Sequence, residues 1–179
     1  MRFGNCNLGG LKKLQEKLNK VKQADMDVFL NDCAKELAAR LLRDVIRNTP
    51  VGRYDTPVSF TTKEGKTVAF TPKTKKTGGA LRRGWTARTH EEAAQGSGSP
   101  KVAEFLENLT VTHTGDCYRI EIKNPMEYAS YVEYGHRTAD HKGWVPGKFM
   151  LTLSEKHIKG IAPQLLARKL KKFLEGYFS

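Results

Sequence analysis

The chain has 179 residues, 39% of them hydrophobic, and a formal net charge of +12 from 31 Lys and Arg against 19 Asp and Glu. That length buries a core without disulfides, and no apolar run is long enough to span a bilayer, which predicts one soluble domain over residues 1–179. MRFGNCNLGG carries no apolar segment of the secretory type. Cys6, Cys33 and Cys117 are scattered, odd in number and without a CxxC pair, so they read as reduced thiols and not as a disulfide framework or a zinc site.

LKKLQEKLNKV places Leu11, Leu14, Leu18 and Val21 at steps of three and four, a narrow apolar stripe on a basic helix. It has no aromatic residue on that stripe, so packing on its own domain or on a neighbouring subunit is favoured over membrane binding. A stronger helix is predicted from Met26 to Asn48, with Asp25 as its cap. Phe29, Leu30, Cys33, Leu37, Leu41, Val45 and Ile46 form its buried face. Asn48-Thr49-Pro50 ends it, because the residue before Pro is pushed out of the α region.

VSFTTKEGKTVAF then reads as a β-hairpin turning at Glu64-Gly65, bracketed by Pro57 and Pro72 and followed by a basic loop. Such a hairpin is unstable alone and must lean on something. Alternation of Leu81, Trp85 and Ala87 predicts a strand from Ala80 to Thr89, with Arg83 a misfit on the inner face. HEEAAQGSGSPKVAEF is Gly/Ser-rich and predicts a loop. Leu109, Val111 and His113 alternate in one strand and Tyr118, Ile120 and Ile122 in the next, joined by a turn at Thr114-Gly115-Asp116.

Asn124-Pro125-Met126-Glu127 signals the start of a short helix from Pro125 to Tyr134, stopped by Gly135. A loop to Gly147 follows. The chain closes with a long helical pattern from Phe149 to Tyr177, and Gly160 and Pro163 within it predict a kink or break. The predicted fold is α+β. An antiparallel sheet of three or four strands packs against a long N-terminal-half helix and a long C-terminal helix, with the hairpin inserted.

The positive charge clusters. Lys63, Lys66, Lys73, Lys75, Lys76, Arg82, Arg83 and Arg88 face the single acid Glu64, and Lys156, Lys159, Arg168, Lys169, Lys171 and Lys172 crowd the C-terminal stretch. An anionic partner is expected: nucleic acid, an acidic protein rim or a membrane face. The bland reading is a solvated loop and the polar face of a helix. Lys63, Lys66, Lys73, Lys75, Lys76, Arg82 and Arg83 are the candidate basic arm.

His136, His141 and Glu133 raise the possibility of catalysis or metal binding. Their spacing imposes no converging geometry, and no HExxH, GxSxG or phosphate-binding loop is present, so catalytic, metal and cofactor residues are all expected to be none. A pairing of Glu133 with Arg137 is the structural alternative. Tyr128, Tyr131 and Tyr134 recur every third residue, and Trp144 sits in the following loop; aromatics of this kind either fill a core or anchor an interface. With Glu133 and Phe149 they form the candidate protein interface.

YASYVEYGHRT followed by WVPGKFM resembles the signature of the head–tail joining, or neck, proteins of long-tailed double-stranded DNA phages. Tyr128, Ala129, Tyr131, Val132, Glu133, Tyr134 and Gly135 carry the first part, and Pro146, Phe149 and Met150 the second. Pro50-Val51 and Thr77 to Trp85 resemble two further halves of the family pattern. Here they are separated by an insertion, the basic hairpin and loop of residues 53–76. The resemblance runs from about Leu11 to Phe173.

It implies a virion structural protein at the neck, assembled in the bacterial host cytoplasm, with no enzymatic activity and no cofactor. Six copies would form a ring between portal or adaptor proteins on the head side and tail terminator or tube proteins on the other. Genomic DNA would pass through the lumen, and no membrane would be involved. A non-specific nucleic-acid-binding protein is the alternative that the charge alone supports, although no helix-turn-helix, zinc or RNA-stacking motif appears. A small enzyme using His136, His141 and Glu133 is the third reading.

Overall fold

The structure, a computed structural model, describes residues 13, 15–16, 21, 23–52, 57–62, 64–71, 78–96, 98–115, 117–138 and 140–178. The expected apolar stripe of Leu11, Leu14 and Leu18 lies outside these residues, as do Lys63, Lys73, Lys75 and Lys76.

Helix α1 spans Gln23–Asn48 and the last helix, α6, spans Met150–Phe178. Among the described residues, their mutual packing is the most extensive between two elements. Leu42 and Val45 of α1 are fully buried, and Cys33, Ala38 and Ala39 are buried too. Polar bonds fasten the pair along its length. Asn48 donates to the Ser154 hydroxyl (2.9 Å), the Lys169 ammonium meets Glu36 (2.6 Å), and the His157 Nδ1 is bonded to the buried carboxylate of Asp44. At the far end Phe29 stacks on Phe173 with centroids 4.5 Å apart.

Because α1 begins before Met26, Asp25 lies in its first turn. It does not cap the helix, and its carboxylate accepts from the Tyr177 hydroxyl at 2.6 Å. Helix α6 runs unbroken through Gly160 and Pro163. Pro163 forfeits one main-chain donor, but burial of the helix face against α1 outweighs that loss, and the expected break does not occur.

Strands β1 (Val58–Thr61) and β2 (Thr67–Phe70) form the expected hairpin, with Val58 opposite Phe70 and Thr61 opposite Thr67. The expected strand at 80–89 is instead a short helix, α2 (Ala80–Gly84), followed by a turn. Leu81 and Trp85 are four apart, a spacing that suits one helix face as well as one strand face. Arg83 decides between them. It is buried because its guanidinium reaches main-chain carbonyls, donating from Nε to Ala93 (3.0 Å) and from Nη1 to Gly78 (3.2 Å).

The segment expected to be a loop holds two further helices, α3 (His90–Gln95) and α4 (Val102–Glu107). A capping box starts α3: the Thr89 hydroxyl accepts from the Glu92 N–H (3.2 Å), and the Glu92 carboxylate accepts from the Arg88 N–H (2.8 Å).

Strands β3 (Thr112–Thr114) and β4 (Cys117–Arg119) pair antiparallel at the expected place but over three residues each. Helix α5 is Ala129–Tyr134, shorter than expected because Asn124 accepts from the Met126 N–H and donates to the Leu81 carbonyl, holding the chain off the helical path until Tyr128. The expected loop after it is a hairpin, β5 (Gly135–Arg137) with β6 (Trp144–Pro146).

The fold is therefore mixed α and β, but among the described residues its strands form three separate two-stranded pairs and no sheet of three or four. One core gathers Leu42, Val45, Leu81, Trp85, Ala93, Met126 and Met150. Thr49, at the end of α1, is its polar centre. Its hydroxyl donates to Val45 and accepts from the Trp85 indole (2.8 Å), while its carbonyl accepts two bonds from Arg82. Pro50-Val51 and the stretch from Gly78 to Trp85, separated in sequence by the inserted hairpin, thus meet in space.

Candidate interaction surface

Helix α5, the β5–β6 hairpin and the start of α6 form one junction. Its anchor is Glu133, the only buried residue of α5. The first N–H groups of a helix have no partner inside it and carry partial positive charge. The Glu133 carboxylate takes up those of α6, accepting from Leu151 N–H (2.9 Å), Thr152 N–H (2.9 Å) and the Thr152 hydroxyl (2.7 Å). Main-chain bonds reinforce it: Lys148 donates to Val132 and Phe149 to Glu133.

Two glycines permit this closeness. A Cβ on Gly135, which has φ 89°, would lie 2.5 Å from the Val145 carbonyl oxygen, and one on Gly147 would lie 2.3 Å from that of Glu133. Phe149, just before α6, is held at φ 50°, a conformation that costs a non-glycine residue about 1–3 kcal/mol and persists only where the surroundings impose it.

This junction holds its aromatics outward. Tyr131, Tyr134, Trp144 and Phe149 are exposed, with Val145 and Leu153 beside them, and Tyr128 is exposed at the foot of α5. The two tryptophans make the contrast: Trp85 is 4% exposed and Trp144 61%. The Tyr131 ring lies 6.0 Å from that of His136.

Of the candidate interface residues, Glu133 alone is turned inward, and its partners are on α6 and not at Arg137. Of the candidate basic arm, Lys66 is exposed near the hairpin turn, whereas Arg82 and Arg83 belong to α2 and serve as internal donors. Sequence reasoning placed Asn124 at a helix start and Thr49 at a helix end, but missed the bonds of Thr49 with Trp85 and of Asn124 with Leu81, and the capping role of Glu133. Only the Thr89-x-x-Glu92 box announced itself by spacing.

The suspected reactive groups do not converge. Glu133 is engaged at α6, while His136 and His141 are exposed on the hairpin and its turn. Asp140, next to His141, is held below its ordinary pKa by the Thr138 hydroxyl and then by the Lys142 N–H, as part of the turn's own hydrogen bonding. Among the described residues no group of three His, Cys, Asp or Glu is placed to hold a metal ion, and no helix is long and apolar enough to cross a membrane. The junction offers packing area on a preformed frame, and it does not gather reactive groups.

The family model of the HK97-gp10-like proteins, described as "Bacteriophage HK97-gp10, putative tail-component", matches residues 12–135, more than half of the chain. The chain belongs to this family. It is therefore a structural component of a phage particle, in a family defined by the tail. The match includes Tyr128 to Gly135, while Trp144 and Phe149 lie beyond it. No curated protein and no solved structure is significantly similar to the chain.

Proposed function

We propose that this protein joins the phage head to its tail, as a ring at the neck between portal or adaptor proteins and tail terminator or tube proteins, with the genome passing through its lumen. The observation that carries this reading is the set of aromatics at Tyr131, Tyr134, Trp144 and Phe149, held in solvent by a frame that Glu133 and two glycines make rigid. Large, stiff side chains displayed this way lose little entropy on docking and are the residue types that anchor interfaces. A closed ring needs two different surfaces on each subunit, and the junction is one. A ring of six follows from the resemblance to neck proteins.

Six copies would accumulate positive charge at the joint, and a strongly cationic lumen would hold DNA through counterion release. Contact with acidic protein rims is therefore favoured over DNA for most of that charge. The test is deletion of the gene in its parent phage, with negative-stain electron microscopy of the lysate. DNA-filled or leaking heads beside separate, finished tails are expected. Intact joined particles would reject the neck reading and make non-specific nucleic-acid binding the leading one.

A further inference from the structure

The β3–β4 ladder stops at Thr112 and Arg119, but the chain beyond it keeps the character of a strand. From Ile120 to Lys123 it runs without turn or bend, with Ile120 and Ile122 half-buried and Glu121 and Lys123 exposed, the alternation of a half-buried strand. Among the described residues, the main chain of these four makes no hydrogen bond. They form an unpaired strand edge, which is a template for an added strand.

The edge borders a groove of about 1040 Å³ between α3, α4 and the exit of β4, lined by Glu92, Lys101, Glu104, Phe105, Ile120 and Glu121 among others. Arg83 also lines it and carries a buried Nη2 without an acceptor. Leaving a buried donor unmatched is costly, and a carbonyl brought in from outside would relieve it.

The complementary need lies in the inserted hairpin. Among the described residues, strands β1 and β2 pair with each other but have no substantial packing on any other element. A lone hairpin is marginal in water. Charge matches as well: residues 53–76 carry Arg53, Lys63, Lys66, Lys73, Lys75 and Lys76 against Asp55 and Glu64. The α3–α4 segment, residues 90–107, carries Glu91, Glu92, Glu104 and Glu107 against Lys101, and of these Glu92, Glu104 and Lys101 line the groove. Those four glutamates are exposed. Glu121 lines the groove as well, but so do Arg83, Arg88 and Arg119, so the acidity is that of the α3–α4 segment and not of the groove as a whole.

We infer that the hairpin arm of one copy docks in this groove on a second copy, adding a strand along Ile120–Lys123. The arm and groove are distinct surfaces of one chain, so the contact is heterologous and propagates from copy to copy. This rests on the reading of the protein as a ring component and names one of the contacts that would close the ring.

The test is cross-linking in particles built with a Ser59→Cys/Glu121→Cys chain in which Cys6 and Cys117 are replaced by Ser. Both engineered positions are exposed. A short bismaleimide should yield a ladder of covalent multimers. Mixed single-cysteine copies should yield dimers only, and the chain without engineered cysteines nothing. A second chain with Ala69→Cys in place of Ser59→Cys covers the other strand of the arm, since Ser59 and Ala69 face each other across the hairpin. Joined particles that contain the protein but give no ladder from either chain would overturn the inference and leave the neck reading intact. A cross-link confined to single chains would overturn it too, by showing the arm in its own groove. Joined particles that lack the protein would sink both.

Discussion

The carboxylate of Glu133 caps α6 through Thr152, accepting from both its N–H (2.9 Å) and its hydroxyl (2.7 Å). One side chain thereby fixes the last helix to the helix that carries Tyr131 and Tyr134. It is a structural role for a residue that the sequence presents as a surface acid. Glu133→Ala removes the cap from these half-exposed donors and is expected to destabilise the protein by about 0.5–2 kcal/mol. Glu133→Gln, which keeps an acceptor oxygen without the charge, should fall between. Thermal unfolding followed by circular dichroism reads both, and an alanine variant as stable as the wild type would remove Glu133 from its place as anchor.

The tryptophans should separate folding from function. Trp85→Ala deletes a buried ring and its bond to Thr49, and is expected to cost about 3–5 kcal/mol. Trp144→Ala and Tyr131→Ala touch exposed positions and should change stability by no more than about 0.5 kcal/mol. Both should nonetheless fail to restore joined particles when supplied to a phage lacking the gene. Normal particle yield from both would sink the interface assignment.

How much of this was legible follows from which forces act locally. The long helices, the inserted hairpin and the β3–β4 turn were read from periodicity and turn residues, signals that a short window contains. The Ala80–Thr89 segment was misread because Leu81 and Trp85 fit periods of two and four alike, and the arbiter, Arg83 bonding to Ala93 and Gly78, is a tertiary contact. Helices α3 and α4 were hidden by the Gly and Ser between them, although Thr89 and Glu92 spelled a cap. The junction was legible as a cluster of aromatics. Which of its residues turn in was not, because only the arrival of α6 makes Glu133 a cap and leaves Trp144 outside.

The contact between Glu36 and Lys169 predicts a response to acid. The Lys169 ammonium, then the Arg40 guanidinium, hold the Glu36 carboxyl below its ordinary pKa. A carboxyl depressed in the folded state adds stability above its unfolded pKa, about 4.3 for Glu, and loses that contribution as pH falls through the folded value. The gap in melting temperature between the wild type and Glu36→Gln should therefore be widest near neutral pH and close as the pH is taken below about 4.3. A gap that stays constant from neutral to pH 3 would show that Lys169 does not depress this carboxyl.

The inserted hairpin should be dispensable for folding. A Cβ on Gly78 would lie 2.2 Å from the Gly52 carbonyl oxygen, so the chain leaves and rejoins the domain at nearly one point. Replacing residues 53–77 by two or three glycines shortens a loop of some 25 residues roughly eightfold, which lowers the entropy of closing it by about 2 kcal/mol. Among the described residues nothing substantial packs on the hairpin to offset that gain. The shortened chain is expected to melt at the same temperature or higher and to lose assembly into particles. A fall in melting temperature of more than a few degrees would mean that the arm supports its own domain, and its docking on a second copy would then be a weaker account of why it is there.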